Sequence, residues 1–196
     1  MSGASGIVGT ALRQALDARN VEVLQLVRRD PVASGQLKWD PAASIPIPNT
    51  NAVEGLDAAI HLSGAGIAAH RWTPAYKREL WESRIESTRV LAAALASLSQ
   101  PPRTLLVASA TGFYGNRGDE LLDENSGPGT GFLADLCREW ESAAQPAAKA
   151  EMRVVHLRFG VVLGPGGALA KKHQLVPVVL QFFVRCCQRR GETEDF

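Results

Sequence analysis

Three glycines at three-residue intervals, Gly3, Gly6 and Gly9, run straight into a helix-forming segment, Thr10-Ala11-Leu12-Arg13. Glycine lets a chain turn tightly and bring its backbone close to a ligand, and the free N–H groups at the start of the next helix attract a phosphate. On this reading Gly3, Ser5, Gly6, Ile7, Val8 and Gly9 cradle a phosphate. Glycine clusters also make ordinary loops, so the rest of the chain has to support the reading. A cradle of this kind follows a buried apolar strand, and only Met1 precedes the stretch that opens at Ser2.

Downstream, short apolar runs alternate with helical patterns. Val8, Leu12, Ala15 and Leu16 recur at helical spacing, with Asn20 as the stop. Val21–Val27 reads as a buried strand that leaves through Arg28-Arg29-Asp30-Pro31. Residues 31–51 read as loop with one short strand at Leu37-Lys38-Trp39. Leu56–Leu62 is the next strand and closes on Ser63-Gly64-Ala65-Gly66. Thr73-Pro74, a hydroxyl cap followed by proline, starts a helix that runs to about Ser99, before Pro101-Pro102. Thr104–Ala108 reads as a strand, residues 131–150 as a helix and Arg153–Phe159 as the last strand. This alternation predicts an α/β fold, a parallel sheet with helices on both faces. Beyond Gly167 the pattern decays, and residues 188–196 read as a polar tail.

Composition narrows the function classes. With 196 residues, 45% hydrophobic and a net charge of +1, one globular domain is expected, with no bias toward nucleic acid or an acidic membrane. No secretory leader pattern opens the chain, and the apolar run Leu175–Val184 is too short to span a bilayer. Cys137, Cys186 and Cys187 form neither a disulfide framework nor a metal spacing, so no metal is expected and a reducing, cytoplasm-like compartment fits, with an organelle as the alternative.

Arg28 and Arg29 follow Gly9 by nineteen and twenty residues. That is where a dinucleotide-binding fold places the residue that inspects the ribose: an acid for a 2′-hydroxyl, an arginine for a 2′-phosphate. The pair therefore favours NADP over NAD, the alternative being two solvated surface arginines.

Taken together, these stretches resemble the short-chain dehydrogenase/reductase superfamily in its extended branch, and within it the NAD-dependent epimerase/dehydratase family. The resemblance is carried by Gly3–Leu12, His61-Leu62-Ser63-Gly64, Arg71-Trp72-Thr73, Ser83-Arg84-Ile85-Glu86-Ser87-Thr88, Ser109–Gly115 and Arg158-Phe159-Gly160-Val161-Val162-Leu163-Gly164. It implies a Rossmann-type, doubly wound sheet over residues 1–170 with a divergent tail over 171–196. NADP(H) would lie on the glycine loop, with Ser63, Gly64 and Arg84 near the cofactor. The implied substrate is a small hydroxyl or carbonyl compound.

The superfamily's proton relay is missing. A tyrosine followed four residues later by a lysine is usual, but the matching positions hold Leu133 and Cys137, with Glu141 matching a glutamate often seen further on. Neither Tyr76 nor Tyr114 has such a lysine. The usual serine aligns with Ala110, leaving Ser109, Thr111 and Tyr114 as weak catalytic candidates. Each residue also has a plainer role open to it: packing for Tyr114, Trp72 and Trp140, a small buried hydrophobe for Cys137, a hydrogen-bonded structural role for His61, a surface ion pair for Arg71 and Arg84. An enzyme, a non-catalytic NADP(H)-binding module and a truncated product without function all remain open. Against the family pattern the chain lacks the first strand and the C-terminal substrate lobe. The expectation is a fragment, or a gene model with a misplaced start and a shifted end, in which the strands at Val21 and Thr104 each lose a neighbour.

Overall fold

The computed structural model describes residues 1–162. The expected boundary near residue 170 and the Leu175–Val184 run lie outside the described residues. Among these, β1 (Gln25–Val27), β2 (Gln36–Lys38), β3 (Ala58–His61), β4 (Thr104–Ala110) and β5 (Arg153–Phe159) are joined by α1 (Ile7–Asp17), α2 (Pro74–Ala96), α3 (Phe132–Ser142) and α4 (Gln145–Lys149). The fold is α/β, and every strand pair is parallel.

β1 pairs with β2, and β3, β4 and β5 pair in that order. Between the two groups lies Ser2, bridged to Leu26 on one side and His61 on the other. The Ser2 amide donates to Ile60 O at 2.9 Å, the Leu26 amide to Met1 O at 2.8 Å, and the Met1 nitrogen to Leu24 O at 2.6 Å. Met1 and Ser2 thus stand where the first strand of a Rossmann sheet runs. This corrects one expectation. The neighbours of that position are β1 and β3, not the strand at Thr104, because β3 intervenes and leaves β4 paired on both sides. From Ser2 the chain first moves outward to β1 and β2 and then returns to β3 on the other side. Right-handed crossovers place α1 and α2 on opposite faces, and the reversal at Ser2 is the switch point where such sheets bind ligands.

Alternation sorts the strands into two faces. Ala59, His61, Leu105, Val107 and Ser109 are buried on the side where α2 and α3 contribute Leu80, Leu91, Leu95, Leu136 and Trp140. The other side, with Ile60, Leu106, Val155 and Leu157, is half-buried among the described residues.

Local differences have local causes. β1 begins at Gln25 rather than Val21, because β2 meets it only from Gln25 opposite Gln36, with the Gln25 amide on Gly35 O at 2.7 Å. The helix expected over 131–150 is two helices. Pro146, at the start of the second, has no N–H to continue the first. β4 runs on to Ala110 because β5 pairs with it through Ala110–Phe159.

Candidate functional site

The parallel register brings the C-terminal ends of the strands to one edge, and every candidate residue on a strand or its exit loop is there. The row Leu37, Leu26, Ser2, His61, Val107 and His156 crosses the sheet. One step further along follow Gly3, Ser63 and Gly64, then Ser109 and Thr111, with Arg28 and Arg29 leaving β1.

The glycine loop is shaped by what glycine alone allows. Gly3 sits at φ +69°, and a Cβ there would lie 2.6 Å from the Leu62 carbonyl carbon. A Cβ at Gly9 would run into the Gly3 carbonyl oxygen. These two contacts pull the loop against the β3 exit and press α1 onto the loop. Gly6 differs. It caps α1 in extended conformation with no side-chain hydrogen bond, and a Cβ there would meet only Gly3 O, at 3.4 Å. The Gly6 amide bonds Gly3 O and the Thr10 amide bonds Gly6 O, while the Ile7 and Val8 amides have no acceptor among the described residues. Ser5, Gly6 and Ile7 are exposed. Unpaired amides at an exposed helix start fit a phosphate.

Beneath the loop His61 is fully buried. The Ser87 hydroxyl donates to Ser83 O at 2.6 Å, so it accepts from His61 Nε2 at 3.2 Å. His61 Nδ1 is then the acceptor, and Ser2 Oγ donates to it at 2.6 Å. The Trp39 indole packs edge-on against the imidazole with ring centroids 6.2 Å apart. Burial, with the nearby Arg28 charge, pushes the His61 pKa down to about 3. His61 is thus a neutral brace tying the short central strand to α2. Arg28 and Arg29 are both exposed, and Arg29 makes only a 3.2 Å bond to Asp30 O.

The loop that leaves β3 is tied to α2. The Ala65 amide donates to Ser83 Oγ at 3.1 Å, and the Ala65 carbonyl accepts from Arg84 Nη2 at 2.8 Å. Tyr76 donates its hydroxyl to Gly66 O. Arg84 is itself 9% exposed. Further along, the Trp72 indole N–H bonds Ile67 O at 2.9 Å, and its ring, 42% exposed, meets Phe132 edge-on.

At the end of β4 the three hydroxyl candidates separate. Ser109 turns inward and donates to Glu141 Oε1 at 2.6 Å. Glu141 is gripped by Arg158 through Nε and Nη2, both at 2.9 Å. Arg158 also donates to the Tyr114 hydroxyl at 2.9 Å and lies 3.6 Å from the Phe113 ring centroid. Burial would raise the Glu141 pKa, but hydrogen bonds from Arg158 and Ser109 override it and hold the carboxyl below its ordinary value. The same pairing raises Arg158. Thr111 is exposed, and its hydroxyl makes no hydrogen bond to the described residues. The two positions matching the usual tyrosine and lysine face the turn at Gly112, where a Cβ would lie 3.4 Å from Leu133 Cβ and 3.7 Å from Cys137 Sγ. Burial raises the Cys137 thiol pKa and keeps it protonated. The Ser109–Glu141–Arg158 cluster was not legible in the sequence. Its members are 32 and 17 residues apart, and only the β4–β5 register, Ser109 opposite Arg158, assembles it.

Comparison with known proteins agrees with this architecture. The model of the NAD dependent epimerase/dehydratase family matches residues 1–192. The chain belongs to that family. Among its relatives, epimerase family protein Mb2239 of Mycobacterium bovis is 45% identical over 88% of the chain and 56% of its own length. The crystal structure of human epimerase family protein SDR39U1 (isoform 2) with NADPH superposes with a TM-score of 0.75 at 33% identity, covering 87% of this chain and 56% of the human one. The nucleoside-diphosphate sugar epimerase of Corynebacterium glutamicum has a TM-score of 0.71 at 40% identity, over 85% and 34% of the two chains. The chain thus spans about half the length of the curated relatives it matches. Among the described residues no helix is long and apolar enough to cross a membrane, and no cluster of side chains could hold a metal.

Proposed function

We propose that this chain carries the NADP(H) site of an oxidoreductase or epimerase-like protein acting on a small hydroxyl or carbonyl compound. The observation that carries the reading is the glycine loop at the switch point, with the Ile7 and Val8 amides free above it and Arg28 and Arg29 leaving the adjacent strand. Gly3, Ser5, Gly6, Ile7, Val8 and Gly9 would hold the pyrophosphate. Ser63 and Gly64 would border the ribose side, and the two arginines would meet a 2′-phosphate. A bound nicotinamide dinucleotide would supply hydride exchange. The NADPH in the human relative's structure supports this choice, while other neighbours, such as MoeE5 with UDP-glucuronic acid, are solved with NAD. Residues 1–170 would form this unit and 171–196 a divergent tail.

A second reading, a binding module without turnover, is favoured by one observation. Leu133 and Cys137 stand where a proton relay is usual, and Ser109 is committed to Glu141. Thr111 is then the exposed hydroxyl left to touch a substrate.

Thermal-shift titration tests the cofactor reading. NADPH at a hundred times its Kd should stabilise the protein by about 2.7 kcal/mol. Arg28→Ala with Arg29→Ala should weaken NADPH about tenfold, or about 1.4 kcal/mol, and leave NADH unchanged. A folded protein that shifts with neither dinucleotide ends the proposal. NADPH oxidation across a panel of carbonyl compounds, with and without Thr111→Val, separates enzyme from module.

A further inference from the structure

Arg84, read from the sequence as a cofactor-binding candidate, has a geometry that argues against direct contact with a ligand. Its guanidinium donates to Ala65 O at 2.8 Å, to Leu80 O at 3.2 Å and to Ser83 Oγ at 3.4 Å. It lies 5.2 Å from the Trp140 ring centroid, and Gly64 passes directly over it, a Cβ there falling 3.4 Å from the side chain. Among the described residues no carboxylate pairs with it. A guanidinium buried without a counter-charge costs a fold stability, because water solvates it better than carbonyls and an aromatic face do. Burial holds its pKa below the ordinary value, in the same sense.

We infer that Arg84 is a positioning residue, whose work is to fix the Ser63–Gly66 loop in its ligand-ready shape before any ligand arrives. Ala65 is held by both of its backbone polar groups, its N–H by Ser83 and its carbonyl by Arg84, and Tyr76 holds the next carbonyl, Gly66 O. All three grips come from one face of α2, a rigid element, so the loop inherits the helix's rigidity. Gly3 is pressed against the Leu62–Ser63 peptide, where this loop begins. Its shape therefore sets the width of the cradle, and a loop ordered in advance costs the ligand less on binding.

The inference rests on the cofactor reading only for its binding arm. Arg84→Met keeps the packing stem and removes the charge. It should leave Tm equal or higher, speed hydrogen exchange of the Ala65 amide, and of the Ala69 amide that bonds Gly66 O, at least tenfold, and weaken NADPH at least tenfold. Arg84→Lys keeps the charge on a single ammonium in place of the guanidinium fork, and should recover part of the exchange protection. A purely structural arginine would lower Tm in Arg84→Met without loosening this loop more than the rest. That result, an Arg84→Met protein that fails to fold, or unchanged exchange at Ala65 and Ala69 overturns the inference. If the unaltered protein binds neither NADPH nor NADH, the cofactor proposal falls, while the exchange arm still decides the role of Arg84.

Discussion

Gly6, the cap of α1, and Gly9, in its first turn, lie three residues apart and should respond to the same substitution in different ways. Gly9→Ala forces a methyl group into the Gly3 carbonyl, so the helix or the loop must move. The expected cost is about 1–3 kcal/mol, the range for an overpacked site, read as a lower Tm. Gly6→Ala meets only ordinary contact and should leave Tm near its starting value, while its methyl group crowds the phosphate cradle and lowers NADPH affinity. Equal loss of stability in both variants would contradict this division. His61 gives a second residue-scale prediction. Its pKa is about 3 in the fold against an ordinary 6.5, so the unfolded chain binds more protons between those values. Stability is fully present above pH 6.5 and falls as pH drops toward 3, by up to about 1.4 kcal/mol per pH unit. His61→Gln, which can still bridge Ser2 and Ser87, should flatten this slope in denaturant titrations at pH 4.5–6.5. His156, also depressed by burial, leaves a residue of it.

At the scale of elements, what was legible in the sequence was what is decided locally. Thr73-Pro74 opens α2 as read, with the Thr73 hydroxyl accepting from the Tyr76 amide at 3.2 Å. Thr73→Ala should cost about 1 kcal/mol, measurable as a lower midpoint in urea. β5 matches the residues read for it, Arg153–Phe159, because a short run with Val154, Val155, Leu157 and Phe159 needs no partner to be recognised. The limits of β1, the break between α3 and α4 and the Ser109–Glu141–Arg158 cluster were not legible, since each depends on what lies opposite in the sheet or behind the helix. That cluster should behave as a unit. Glu141→Gln removes the anion that compensates Arg158, and with side chains 20% and 11% exposed the loss should be about 2 kcal/mol, below that of a fully buried pair. The Glu141 contribution is present above its ordinary pKa of 4.5 and fades as pH falls below it, so its acid loss starts lower than that of His61.

For the molecule as a whole, the joint between the two sheet halves governs cohesion. Among the described residues the hydrogen-bond ladder from β1 and β2 to β3 passes through Met1 and Ser2 alone, whereas β4 pairs with β5 along seven residues. Opening of the β1–β2 half should therefore need less free energy than opening of β4, and native-state hydrogen exchange should show Leu26 and Leu37 amides exchanging well ahead of Leu105 and Val107. Equal protection across all of them would mean that Trp39 and Ile47, buried on the shared core, fasten the halves as firmly as a full strand does. The parallel α/β sheet was legible from the alternation of elements, and the division of the sheet as a missing strand with one flanking partner right, the strand at Val21, and one wrong, the strand at Thr104. Trp72 turns this architecture into an instrument. Of the four tryptophans it alone is exposed, with its indole fastened to the loop between β3 and α2. Acrylamide should quench its red-shifted emission first, leaving Trp39, Trp81 and Trp140 to report the interior. The loop next to the cradle thus carries its own optical label, and ligand capture can be followed in solution without a dye.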